Sequence, residues 1–167
     1  MCSVGTNLSI GAGTRTPDAN VEREMRVERG MGMSAQTLRV PWNQSSGRDA
    51  RRALVSSLRD LQVDATVVDE AEIVISELVS NAARHARPLP DGTIRVNWTV
   101  RGGVVEVEVT DGGGPTTPRP APRSLLAATG RGLRIVRGYA HEWGVLEDRA
   151  GRTVWVSLGG PSRRRSH

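Results

Sequence analysis

Three short stretches of this chain hold residue types at spacings suited to chemistry on a bound ligand. In the first, Glu70, Glu77 and Asn81 fall within roughly 40° of one another when the segment is wound at about 100° per residue. The apolar face of the same helix is made by Ala71, Val74, Ile75, Leu78, Val79 and Ala82. The polar stripe borders that face and does not lie opposite it, so Glu77 and Asn81 stand at the rim of the core, where a ligand can lie between helix and sheet. An ordinary solvated helix edge accounts for the same pattern.

In the second stretch, Val105-Glu106-Val107-Glu108-Val109-Thr110-Asp111, alternation puts Asp111 on the apolar side with Val105, Val107 and Val109. A buried carboxylate needs a donor. The side chains of Arg84 or Arg87 are one source, and an amino group on a ligand is another. Gly112, Gly113 and Gly114 follow at once. They permit close backbone approach to a ligand, or simply unusual dihedrals in a tight loop. The third stretch is Gly130-Arg131-Gly132-Leu133, ahead of an apolar helix with Ile135 and Val136. Free amides at a helix start bind anions, and Arg131 and Arg134 add charge-assisted donors.

The elements that must position these groups follow from periodicity. A short strand, Thr37–Val40, ends at Pro41, and Ser45–Leu61 carries Ala50, Ala53, Leu54, Leu58 and Leu61 at helical spacing. Asp64 or Thr66 caps a longer helix that runs to about Ala86 and stops before Pro88 and Pro90. Strands Thr93–Val100 and Val104–Thr110 meet across Arg101-Gly102-Gly103, a hairpin signal. A Gly/Pro stretch leads to a helix from Gly132 to Tyr139, and Trp143–Leu146 with Thr153–Leu158 form a closing hairpin. The expected class is α+β: a two-layer sandwich whose mixed, mostly antiparallel sheet carries its helices on one face.

Composition narrows the chemistry. All 23 basic residues are arginine, against 18 acidic ones, for a net charge of +5. Without lysine there is no P-loop and no strand lysine of the protein-kinase type. Scattered arginines and 3% aromatics argue against a nucleic-acid partner, because stacking platforms are missing. Cys2 is the single cysteine, so the chain holds no internal disulfide and no cysteine-based zinc site. No run reaches the ~18 apolar residues of a membrane helix, and no signal-peptide core is present. The expectation is a cytoplasmic protein without a membrane partner. Residues 1–35 read as a polar leader, in which Met25, Met31 and Met33 admit a later start of translation; 36–160 read as the folded domain and 161–167 as a basic tail.

Taken in order, the three stretches resemble the nucleotide boxes of the GHKL ATPase family, which has the Bergerat fold. Glu77-Leu78-Val79-Ser80-Asn81-Ala82-Ala83-Arg84-His85 is similar to its N box, Val109-Thr110-Asp111-Gly112-Gly113 to its first glycine box, and Gly130-Arg131-Gly132-Leu133-Arg134-Ile135-Val136 to its second. Trp143-Gly144 and Thr153-Val154-Trp155 look like the closing pieces of the small anti-sigma-factor serine kinase branch. The resemblance covers about residues 37–158.

It implies ATP and Mg²⁺ as cofactors. By position, Asn81 would hold Mg²⁺, Asp111 would accept from the adenine amine and Gly113 would line the purine. Gly130, Arg131, Gly132 and Leu133 would wrap the phosphates, and Glu77 would be the catalytic base. The implied activity is that of an anti-sigma factor which phosphorylates an anti-anti-sigma partner on serine or threonine. Sigma factor and anti-anti-sigma protein are then its partners, and a homodimer is admitted. The alternatives are a nucleotide-dependent protein-binding module without kinase activity and, third, a sensor-kinase catalytic domain, for which no upstream helix pair with a phospho-acceptor histidine is found. The chain departs from the family at Pro115, where a glycine is usual, and in a short lid containing Pro115, Pro118, Pro120 and Pro122. Such a segment favours stiff, extended conformations.

Overall fold

A computed structural model describes residues 32–114 and 131–162. Strand β1 (Met33–Pro41) leads into helix α1 (Ser46–Asp60) and helix α2 (Ala65–His85). Strands β2 (Thr93–Arg101) and β3 (Val104–Asp111) follow, then helix α3 (Arg131–Tyr139) and strands β4 (Glu142–Asp148) and β5 (Gly151–Leu158).

Local signals account for the helix ends. The Asn43 side chain accepts from the amides of Ser45 (2.9 Å) and Ser46 (3.2 Å) where α1 begins. Gln62, in the left-handed region at φ 55°, turns the chain out of α1. Of the two candidate caps for α2 it is Asp64 that serves, accepting from the Thr66 amide at 2.9 Å. After His85 the backbone becomes extended at Ala86, two residues ahead of Pro88. Gly102 and Gly103, both at positive φ (57° and 79°), make the two-residue turn between β2 and β3.

The five strands lie in the order β1-β2-β3-β5-β4, and every pairing among the described residues is antiparallel, in keeping with the mostly antiparallel sheet expected. The first strand is longer than its apolar pattern. Met33–Ala35, which composition groups with the leader, pairs with Thr99–Arg101, because ladder bonds need only backbone.

Helices cover one face of the sheet, and the core lies between the layers. Leu54 and Leu58 of α1 and Val74, Ile75, Leu78 and Val79 of α2 are buried with Ile94, Val96, Val107, Val109, Val154 and Val156 of the sheet. Trp98 enters the same core and donates its Nε1 to the Ser57 hydroxyl at 3.0 Å, which satisfies its one polar atom. This is the two-layer α+β arrangement of the Bergerat fold. Its consequence for function is geometric: the C-terminal end of α2 and the end of β3 arrive at the same edge.

Candidate functional site

Asp111 closes β3 on the helix-facing side, with only 5% of its surface exposed. Its Oδ1 accepts from the Gly113 amide at 2.7 Å. Burial pushes its carboxyl above the ordinary range; the Gly113 amide and the Arg152 charge oppose that rise, and Glu147 adds to it. The charged partner is neither of the two arginines expected, Arg84 and Arg87. Arg84 and Arg87 are exposed, and no bond joins their side chains to Asp111. The register decides instead: Asp111 stands opposite Arg152, on the same face of neighbouring strands.

The glycines after Asp111 have three separate reasons. A Cβ at Gly112 would collide with the Pro88 carbonyl, and one at Gly114 would come to 2.8 Å from the His85 carbonyl. These two let the loop lie against the exit of α2. Gly113 has open space around its Cβ position but a φ of 75°, which bends its amide back to Asp111. Two backbone bonds of 2.8 Å, Gly112 N–H to Arg87 and Arg87 N–H to Gly113, zip the loop to the chain leaving α2.

This loop forms one wall of an open cleft of about 390 Å³, lined by Arg87, Gly112, Gly113, Gly114, Glu147, Asp148 and Gly151. Asp111 ends the strand that leads into this wall and does not itself line the cleft. Arg152, 4% exposed, ties the walls together: its Nε donates to Glu147 Oε1 at 2.7 Å and its Nη2 to the Gly114 carbonyl at 2.9 Å. Sequence reasoning passed over both residues, although a signal existed. Continuing the inward alternation of Leu158, Val156 and Val154 back along β5 reaches Arg152, and continuing Trp143 and Val145 along β4 reaches Glu147.

Glu77 and Asn81 are half-buried on α2, at the border of its apolar face. Along the helix axis Asn81 lies about 6 Å and Glu77 about 12 Å before His85, the residue whose carbonyl abuts Gly114. Neither lines the cleft itself. Arg131, Gly132 and Leu133 form the first turn of α3, which packs beside α2 through the buried Val136. Gly130 and the proline stretch from Pro115 to Pro122 lie outside the described residues. The structure thus brings Asp111 against Gly113 of the cleft wall, with the Glu77/Asn81 stripe on the adjoining helix and the start of α3 on the helix beside that.

Residues 40–158 match the family model of the histidine kinase-like ATPase domain. The chain belongs to this family. ATP is the ligand class that family membership gives it. Among solved structures it is similar in fold to the RsbU and RsbW domains of Rv1364c from Mycobacterium tuberculosis, with a TM-score of 0.53 and 21% identity. That match covers 73% of this chain and 32% of the other, so this chain spans about a third of the solved one. No curated protein matches it. Among the described residues of this histidine kinase-like ATPase domain, no helix is long and apolar enough to cross a membrane.

Proposed function

We propose that this chain is an ATP-dependent cytoplasmic anti-sigma factor which phosphorylates an anti-anti-sigma partner on serine or threonine, with residues 36–160 as its nucleotide domain. The observation that carries the reading is Asp111, a buried carboxylate at the end of β3 whose following glycines wall an open cleft. With one oxygen engaged by Gly113, it keeps acceptor capacity for the adenine amine. Gly113 lies along the purine, and Gly130, Arg131, Gly132 and Leu133 hold the phosphates at the start of α3.

Asn81 is the protein's ligand for Mg²⁺. Among the described residues no group of three or more His, Cys, Asp or Glu side chains stands ready to hold a metal alone. A single amide oxygen at the helix rim suits Mg²⁺, which takes its other ligands from phosphates and water. When bound, the ion would neutralise charge on the phosphates.

Glu77, one turn earlier and free of the metal, is the general base. It takes the proton of the partner's hydroxyl as that oxygen bonds to the γ-phosphorus; the bond to the bridging β–γ oxygen breaks, and ADP leaves. General-base catalysis contributes about 10²–10⁴-fold. Glu77→Gln is therefore expected to bind ATP as the wild type does while losing transfer by roughly that factor. Labelled phosphate transfer to a matched anti-anti-sigma protein measures it. Equal transfer by both proteins refutes the role of Glu77. No transfer by wild type, with ATP-dependent capture of a sigma factor, supports the second reading, a nucleotide-dependent binding module.

A further inference from the structure

Arg152 is enclosed in a strand whose other inward residues are Val154, Val156 and Leu158. A guanidinium held out of water is expensive unless its donors are satisfied and its charge is answered. Here the fork reaches across the cleft. Nε meets Glu147 Oε1 at 2.7 Å, Nη2 lies 2.7 Å from the same oxygen, and Nη2 also donates to the Gly114 carbonyl at 2.9 Å. The residue facing it across the ladder is Asp111.

We propose that Arg152 is a positioning residue of the nucleotide cleft: it pins the glycine loop to the end of β4 and holds Asp111 as the ionised, purely accepting carboxylate that selects an amino group on the base. The inference rests on the reading of Asp111 as the adenine acceptor. An ionised carboxylate only accepts, whereas a protonated one spends an oxygen on donating. Burial works against the ionised form of Asp111, and Arg152 is the charge that counters it. The charged groups that act on the carboxylate are Arg152 from β5 and Glu147 from the end of β4, while Asp148 and Arg87 line the cleft beyond it. Arg152 and Glu147 act on Asp111 with opposite sign, and that opposition makes the role separable from a merely structural one.

The test is the ATP affinity of the wild type, Arg152→Gln and Glu147→Gln, measured by calorimetry from pH 8 down to pH 5. Taking each variant's dissociation constant relative to wild type cancels the nucleotide's own protonation. Without Arg152, Asp111 takes up its proton at higher pH. The Arg152→Gln ratio should therefore grow as pH falls, by up to roughly tenfold for each unit through which the Asp111 titration moves. Without the Glu147 charge the titration moves the other way, and that ratio should shrink as pH falls. Glu147 is half exposed in its side chain (51%), so its variant carries the test even if Arg152→Gln fails to fold. Profiles parallel to wild type, or displaced in the same direction in both variants, overturn the inference alone. A wild type that binds no ATP overturns the reading of the cleft, and this inference with it.

Discussion

At Asp111 the protein tolerates an unfavourable charge. Its carboxyl is pushed above the ordinary range by burial, so the ionised form is less favourable in the folded chain than in the unfolded one. The sign follows from linkage: as pH rises and this group ionises, its contribution lowers folding stability. Removing the charge while keeping the shape should therefore leave stability unchanged or raise it. For ligand binding the sign is reversed. Asp111→Asn loses one hydrogen bond to a charged group, a loss of about 1.5–3 kcal/mol, or roughly ten- to a hundred-fold in affinity. The expected outcome is a melting temperature no lower than wild type together with weaker ATP binding by calorimetry. A residue kept for packing would lower both. Unchanged ATP affinity would remove Asp111 from the site.

Among the elements, the junction between the exit of α2 and the loop after β3 is the least tolerant of added atoms. Gly112 has no room for a methyl group beside the carbonyls of Arg87 and Pro88. Gly112→Ala must push the loop away from two backbone bonds of 2.8 Å. Overpacking of this kind costs about 1–3 kcal/mol, and because the same loop walls the cleft, ATP affinity should fall along with stability. Gly138 in α3 is the matching control. It is exposed, and a Cβ there meets nothing within 4 Å. Gly138→Ala should stabilise the helix by about 0.5–1 kcal/mol and leave ATP binding alone. Denaturant titration of both variants, with calorimetry, checks the contrast. Equal behaviour would mean that the α2 exit has freedom to give.

For the whole molecule, a single core joins both helical faces to the sheet, and α2 runs from that core to the cleft edge. Ile75 is fully buried two residues before Glu77 on the same helix, pointing inward where Glu77 borders the rim. Ile75→Ala should cost about 2–5 kcal/mol, seen as a lower denaturant midpoint with an unchanged slope. Because the nucleotide binds only the folded chain, ATP at a hundredfold excess over its dissociation constant should return about 2.7 kcal/mol of that loss. A variant that folds but is not restored by ATP would show that repacking the core had reached the cleft.

Periodicity along the chain was enough to place the two long helices, the Gly102-Gly103 hairpin and the closing hairpin, because each of those signals lies within a few residues. The order of Asn81, Asp111 and the glycine turn was also enough to indicate the family, and the inward direction of Asp111 followed from alternation with three valines. The partner of Asp111 did not follow. Arg84 and Arg87 are nearer in sequence, yet Arg152 is the residue opposite, because strand register is set by pairing between distant segments. The extra residues of β1 were hidden for a related reason: Met33–Gln36 hold their place by backbone bonds to β2, which composition does not record. The glycines show the division most clearly. Their clustering marked a loop of special geometry, but only the folded chain reveals that Gly112 and Gly114 make room for the carbonyls at the end of α2 while Gly113 turns its amide to Asp111. A turn can be read from local residues, whereas closeness between segments is a property of the packed chain alone.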